Sequence, residues 1–360
     1  MASFQSLNAR NLTAEQMVRL DTGRQRHRAA VREAILDSSR NVYLYGSRGS
    51  GKTFFQKTQA HYFNELDQDA LSLFVPCDIR WGFERHDSND FALHVLSTLF
   101  LEWWQKVYKR PRSDLLRLGM MGEHSLLDDL RPEQKRFVQL YSIVNASQVD
   151  VERRRSSLFG ATAVAKAETT WDEVQTVSRG ALLPSEVSAI LSDLAELIAR
   201  AKIRRVIVHL DEVELIGANR GNNFYSVCLE LFNPVGVQFV VTGTPTIASD
   251  QESLLSSFET ALELEGFDTV AELKSMVAKY SEDDPCRIND DAIDVLYEFF
   301  GGHPRSSLAI CADVTNALAD KKAHITPGLM TKACLVYQKR LEDAKKLHGE
   351  MANRLAGTDP

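Results

Sequence analysis

The residues best suited to chemistry lie between positions 43 and 53, where the chain reads Y-L-Y-G-S-R-G-S-G-K-T. An apolar β-type run over residues 42–45 ends in Gly46. Gly51, Lys52 and Thr53 then complete the spacing G-x-x-x-x-G-K-[ST], ahead of a helix-forming run from Phe54. Gly46, Gly49 and Gly51 let the backbone curl so that successive N–H groups around Ser50 point inward at a helix N-terminus, which is a ready anion site. Lys52 can reach the β/γ-phosphates of a nucleotide, and the Thr53 hydroxyl can ligate Mg²⁺. A glycine turn without a nucleotide shares the spacing; the strand before and the helix after it favour a phosphate-binding loop.

A second acidic element follows. Residues 206–210, V-I-V-H-L, read as a buried strand that ends in Asp211 and Glu212. At the carboxyl end of a parallel strand, Asp211 can hold the Mg²⁺ shell and Glu212 can orient a water for in-line attack on the γ-phosphate. Another buried strand, 237–241, ends at Thr242-Gly243-Thr244-Pro245. Thr242 either senses the γ-phosphate or attacking water, or simply ends the strand.

The elements that must position these groups alternate. Helical patterns over 54–63, 90–107, 185–201 (with Ser185 as cap) and 223–232 are interleaved with apolar strands at 42–45, 71–75, 206–210 and 237–241. Pro76 ends the second strand, leaving Cys77, Asp78 and Arg80 near the carboxyl edge, where a plain surface loop is the simpler role. This alternation predicts an α/β fold, a P-loop parallel sheet with helices on both faces. Before it, Thr13 and Gln16 have the spacing of a capping box, and 25–36 reads as a solvated amphipathic helix. After a short strand near 261–264 come helices at 269–280, 290–300, 304–318 and 327–355, a smaller all-helical lid domain. The expected domains are 1–265 and 266–360. An insertion over about 109–181 carries a helix from Pro132 to Val144 and a weak strand-like alternation at 158–167.

Composition narrows the class. The chain has 360 residues, 44% hydrophobic and 25% charged, enough for two or three packed units. Its longest apolar stretch, 91–104, is too short and too interrupted to span a bilayer, so no membrane partner is expected. No secretory leader is expected either, because residues 1–20 lack an apolar core. Five cysteines without C-x-x-C spacing suggest reduced thiols in a cytoplasmic protein and offer no metal cluster. A net charge of −7 argues against wrapping nucleic acid with the whole surface. Lys106, Lys109, Arg110, Arg112, Arg117 and the triplet Arg153-Arg154-Arg155 read as a solvated face, since no aromatic residues interleave the triplet.

Together these motifs resemble an AAA+ ATPase of the origin-recognition and initiator-like group, with the STAND signalling NTPases as near neighbours. The resemblance covers most of residues 12–335. It rests on Thr22-Gly23-Arg24, on G-S-R-G-S-G-K-T, on V-I-V-H-L-D-E, and on Gly301-Gly302-His303-Pro304-Arg305. It implies ATP and Mg²⁺ held between the α/β domain and the lid. Gly23 and Arg24 would lie beside the adenine, and Arg305 would contact the γ-phosphate and couple lid angle to nucleotide state. The implied activity is an ATP-hydrolysing molecular switch that engages a partner, protein or DNA, with nucleotide-dependent oligomerisation among the arrangements it allows. The alternatives are a DNA-associated ATPase of transposition or defence systems and a STAND-like signalling scaffold with little turnover. The chain departs from the pattern in three ways: the insertion; Leu255-Ser256-Ser257-Phe258 where an arginine finger is usual, with Arg220 as a substitute candidate; and no expected winged-helix domain after Ala333.

Overall fold

The computed structural model describes residues 12–38, 40–66, 69–76, 88–121, 129–159, 184–212, 232, 235–244, 258–281, 287–318 and 323–355. The expected helix at 223–232 (apart from Phe232), the edge residues Cys77, Asp78 and Arg80, the alternation at 160–167, Arg220 and Leu255-Ser256-Ser257 lie outside them. The elements run α1 (Ala14–Leu20), α2 (Gln25–Arg32), β1 (Val42–Tyr45), α3 (Lys52–Leu66), β2 (Ala70–Pro76), α4 (Ser88–Lys106), α5 (Arg112–Met121), α6 (Pro132–Phe159), α7 (Pro184–Arg200), β3 (Arg205–Asp211), β4 (Val237–Gly243) and β5 (Thr260–Glu263). There follow α8 (Val270–Tyr280), β6 (Arg287–Ile288), α9 (Asp290–Phe300), α10 (Pro304–Ala317), β7 (His324–Ile325) and α11 (Pro327–Leu355). The fold is α/β: a five-stranded parallel sheet ordered β2-β3-β4-β1-β5 and flanked by helices, then a helical C-terminal region. No helix among the described residues is long and apolar enough to cross a membrane.

The chain divides into two compact units. One comprises residues 32–44 and 59–262. Its centre is β3, whose residues Val206 to Asp211 are all buried, paired in parallel with β2 and β4. The expected insertion is helical where described: α5 and α6 pack on α4, and α6 runs to Phe159 rather than stopping at Val144. Aromatic rings make that joint. Phe137 of α6 lies 4.7 Å from Phe100, 6.0 Å from Trp103 and 6.0 Å from Trp104, all of them buried, so both tryptophans are core. Ser185 is not a cap, because Pro184 already takes the first helical position, for which its fixed φ is suited.

The other unit comprises residues 1–31, 45–58 and 263–360. The capping box is formed: Thr13 Oγ1 accepts from the Gln16 amide and Gln16 returns to the Thr13 amide. Leu273, Met276, Leu296, Cys311, Ile325, Met330 and Cys334 form the core shared by α8 to α11, both cysteines as free thiols. Gly301, at φ 56°, ends α9 in the left-handed conformation, and Pro304 starts α10. A two-residue parallel ladder, β6 with β7, is the one addition to the expected helices among the described residues.

One residue of the sheet is out of keeping with its surroundings. His209 is fully buried in β3, its ring 6.1 Å from that of Phe63, and neither ring nitrogen has a hydrogen-bond partner. Burial lowers its pKa to about 3, so it is neutral at pH 7. Below the unfolded-state value near 6.5 the unfolded chain holds one more proton, so stability is lost as pH drops from about 6.5 towards about 3, by up to about 1.4 kcal/mol per unit. His209→Leu is therefore expected to add roughly 1–2 kcal/mol at pH 7 and to flatten the acid limb. Urea melts at pH 7, 5 and 4 check both; an unchanged acid slope would contradict it.

Candidate functional site

The phosphate loop lies in the unit that also contains α8 to α11. It leaves β1 at Gly46, where a Cβ would stand 2.1 Å from the Leu264 carbonyl oxygen; only glycine permits that approach. Gly49 and Gly51 adopt φ of 95° and 94°, so the turn needs glycine at both. Lys52, 8% exposed, opens α3 and donates to the carbonyls of Gly46 at 2.7 Å and Ser47 at 2.9 Å. Thr53 is half-buried on the first turn of α3, and Ser50 is fully buried.

The flanking motifs converge on this loop. Gly23 and Arg24 take the left-handed conformation, at φ 68° and 58°, held by the Arg24 amide donating to Glu272 Oε1 at 2.7 Å. The Arg24 guanidinium, 5% exposed, donates from Nη2 to the Ser50 carbonyl and to the Glu265 carbonyl at 3.0 Å, and lies 5.2 Å over the Phe267 ring. Burial lowers its pKa to about 10, against the raising effect of Glu272, and it stays charged at pH 7. From α10, the Arg305 amide meets the Gly49 carbonyl at 3.4 Å, and Arg305 Cδ lies 2.8 Å from the place a Gly49 Cβ would take. Arg305 itself is exposed, and no ion pair among the described residues uses it. His303 caps α10, its Nδ1 accepting from the Ser306 amide. Burial lowers the His303 pKa against the raising effect of Glu265, with Arg305 and Arg24 adding to the lowering.

Two residues that no sequence pattern marks complete the set. Glu265 accepts from Ser47 through both carboxylate oxygens, from the amide at 2.7 Å and the hydroxyl at 2.5 Å. Glu272 holds the Gly23-Arg24 turn. Glu259 and Glu263 stand close by in sequence, so an acidic residue at 265 carries no signal of its own.

The acidic pair lies in the sheet unit. Asp211, 2% exposed, ends β3 beside Thr242 of β4. The Thr242 hydroxyl donates to Asp211 Oδ1 at 2.7 Å and accepts from the Glu212 amide at 3.2 Å. Glu212 is itself left-handed, at φ 57°, which turns the chain sharply as it leaves the strand.

The local chemistry suits a nucleotide phosphate. Ser50 Oγ and Arg24 Nη1 are buried without partners beside a glycine loop at a helix N-terminus. Among the described residues no group of three or more His, Cys, Asp or Glu side chains could hold a metal.

Comparison with solved structures gives low-identity matches. The Aeropyrum pernix ORC1 protein in complex with DNA matches with a TM-score of 0.45 at 12% identity, over 89% of this chain and 66% of that one. The Thermotoga maritima RuvB Holliday junction branch migration motor matches at 0.41 and 15%, over 88% and 70%. C. elegans PCH-2 matches at 0.39 and 13%, over 91% and 67%. These likenesses are of overall fold, at low identity. The chain spans just under two thirds of the ORC1 chain. No family model and no curated protein matches it.

Proposed function

We propose that the chain is an ATP-dependent molecular switch that binds ATP·Mg²⁺, hydrolyses it slowly and uses lid movement to engage a partner, with or without self-assembly. One observation carries this reading. Gly23-Arg24, the phosphate loop and the Gly301–Arg305 turn, far apart in sequence, meet in one compact unit, with Arg305 against Gly49. In this reading the loop amides, Ser50 and Lys52 neutralise phosphate charge, and Lys52 gives up its carbonyl partners to do so. Thr53 and Asp211 would offer oxygens to Mg²⁺, which would supply positive charge to the phosphate oxygens. Glu212 takes a proton from water, whose oxygen bonds to the γ-phosphorus as the bond to the β–γ bridging oxygen breaks, giving ADP and phosphate. Thr242 orders the acidic pair and Arg305 senses the γ-phosphate.

The test is nucleotide titration and phosphate release with the purified chain, with and without duplex DNA, beside Lys52→Ala. ATP binding with slow turnover is expected, and Lys52→Ala should weaken binding by roughly 10–100-fold, because a charge-assisted contact to phosphate is lost. Failure of the unaltered chain to bind ATP would refute the reading. Binding without turnover would favour the signalling scaffold, and stimulation by DNA the DNA-associated ATPase.

A further inference from the structure

We propose that Glu265, braced by Arg24, is a positioning clamp that fixes the phosphate loop and passes its nucleotide state to the lid; this rests on the nucleotide reading above. The clamp is a closed circuit of hydrogen bonds. The Glu265 carboxylate holds the Ser47 amide and hydroxyl. The Glu265 carbonyl accepts from Arg24 Nη2, and the same nitrogen donates to the Ser50 carbonyl. Ser47 and Ser50 are the two ends of the loop's tight turn, joined by the Ser50 amide donating to the Ser47 carbonyl at 3.2 Å. The Ser50 end is thereby fastened through Arg24, and the Ser47 end directly, to Glu265.

That residue occupies a particular place in the chain. The Leu264 amide still pairs with the Tyr45 carbonyl at 2.6 Å, as an extension of β5, so Glu265 is the first residue free of the strand. The next two residues belong to the lid. A Cβ on Gly266 would stand 2.0 Å from the Gly301 carbonyl oxygen, and the Phe267 amide donates to the Gly302 carbonyl at 3.1 Å. Three residues further from Gly302, Arg305 returns to Gly49 in the middle of the same loop. A rearrangement of Ser47 to Ser50 around incoming phosphate therefore pulls on Glu265 and pushes on Arg305 together, and both movements reach the start of α10. Paired hydrogen bonds to a carboxylate are among the stiffer side-chain links, which suits a part that transmits displacement.

The clamp is tested by hydrogen exchange over residues 301–317, with and without saturating ATP·Mg²⁺, for the unaltered chain, Glu265→Ala and Glu265→Gln. Saturation removes any difference in affinity from the comparison. The unaltered chain should gain protection across 301–317 on adding ATP. Glu265→Ala should lose at least two thirds of that gain while keeping its melting temperature, and Glu265→Gln, which retains one acceptor for the Ser47 amide, should recover part of it. If Glu265→Ala proves unfolded, Glu265→Gln alone decides, with a reduced gain expected. An undiminished gain in a folded variant overturns the clamp and leaves the nucleotide reading standing. An unaltered chain that binds no ATP removes that reading, and the clamp with it.

Discussion

Glu212→Gln should leave ATP bound and lower turnover by roughly 10²–10³-fold, the range expected when a positioned general base is lost. Glutamine keeps the shape and one acceptor oxygen but cannot take the proton. The backbone around Glu212 explains why the effect should appear in kcat rather than in folding. Its left-handed φ of 57° is held by its own amide donating to Thr242, a bond that does not involve the side chain. Asp211 keeps its hydrogen bond from the Thr242 hydroxyl in the variant. Single-turnover phosphate release and equilibrium ATP binding, measured on the same preparation, separate the two quantities. A rate within about threefold of the unaltered chain would exclude Glu212 as the base.

Gly266→Ala should be among the most destabilising single substitutions in the chain. The added methyl would stand 2.0 Å from the Gly301 carbonyl oxygen and 3.1 Å from the Gly302 carbonyl carbon. Both are backbone atoms in a turn fixed by φ values of 56° and 72°, so neither can move without breaking the end of α9. Overpacking against backbone costs about 3 kcal/mol or more, enough to lower the melting temperature by several degrees. Gly328→Ala is the control: it lies in the first turn of α11 with nothing within 4 Å, and should be neutral or stabilising by about 1 kcal/mol. Equal melting curves for the two variants would refute the steric argument.

Much of the architecture is legible from local pattern. The runs 42–45, 71–75, 206–210 and 237–241 are mostly apolar, broken only by the buried Ser72, His209 and Gln238, because their strands are largely buried, and all four lie in the sheet. Asp290–Phe300 and Pro327–Leu355 have the bounds the sequence predicts, since a left-handed glycine and an N-terminal proline announce them. The loop is readable because its glycines meet local backbone demands. What stays hidden depends on contacts between distant residues. Arg24 under Ser50 and Glu265 on Ser47 leave no local trace, because an arginine beside glycine or a glutamate after a strand is ordinary in itself. The extent of α6 escapes the pattern for a similar reason: its helix is sustained past Val144 by a sequence with only weak periodicity.

The phosphate loop's unit is assembled from three separate stretches, and Ser47 and Glu265 are 218 positions apart. No segment shorter than residues 24–305 contains all the groups that shape the loop. During synthesis, then, the G-x-x-x-x-G-K-T stretch emerges early but waits, flexing as an ordinary glycine-rich turn, until the last third of the chain arrives to grip it. Contacts of such long range form slowly, because loop closure must precede any gain from them. The grip on the loop is thus acquired late in folding, which makes it a mark of the finished fold.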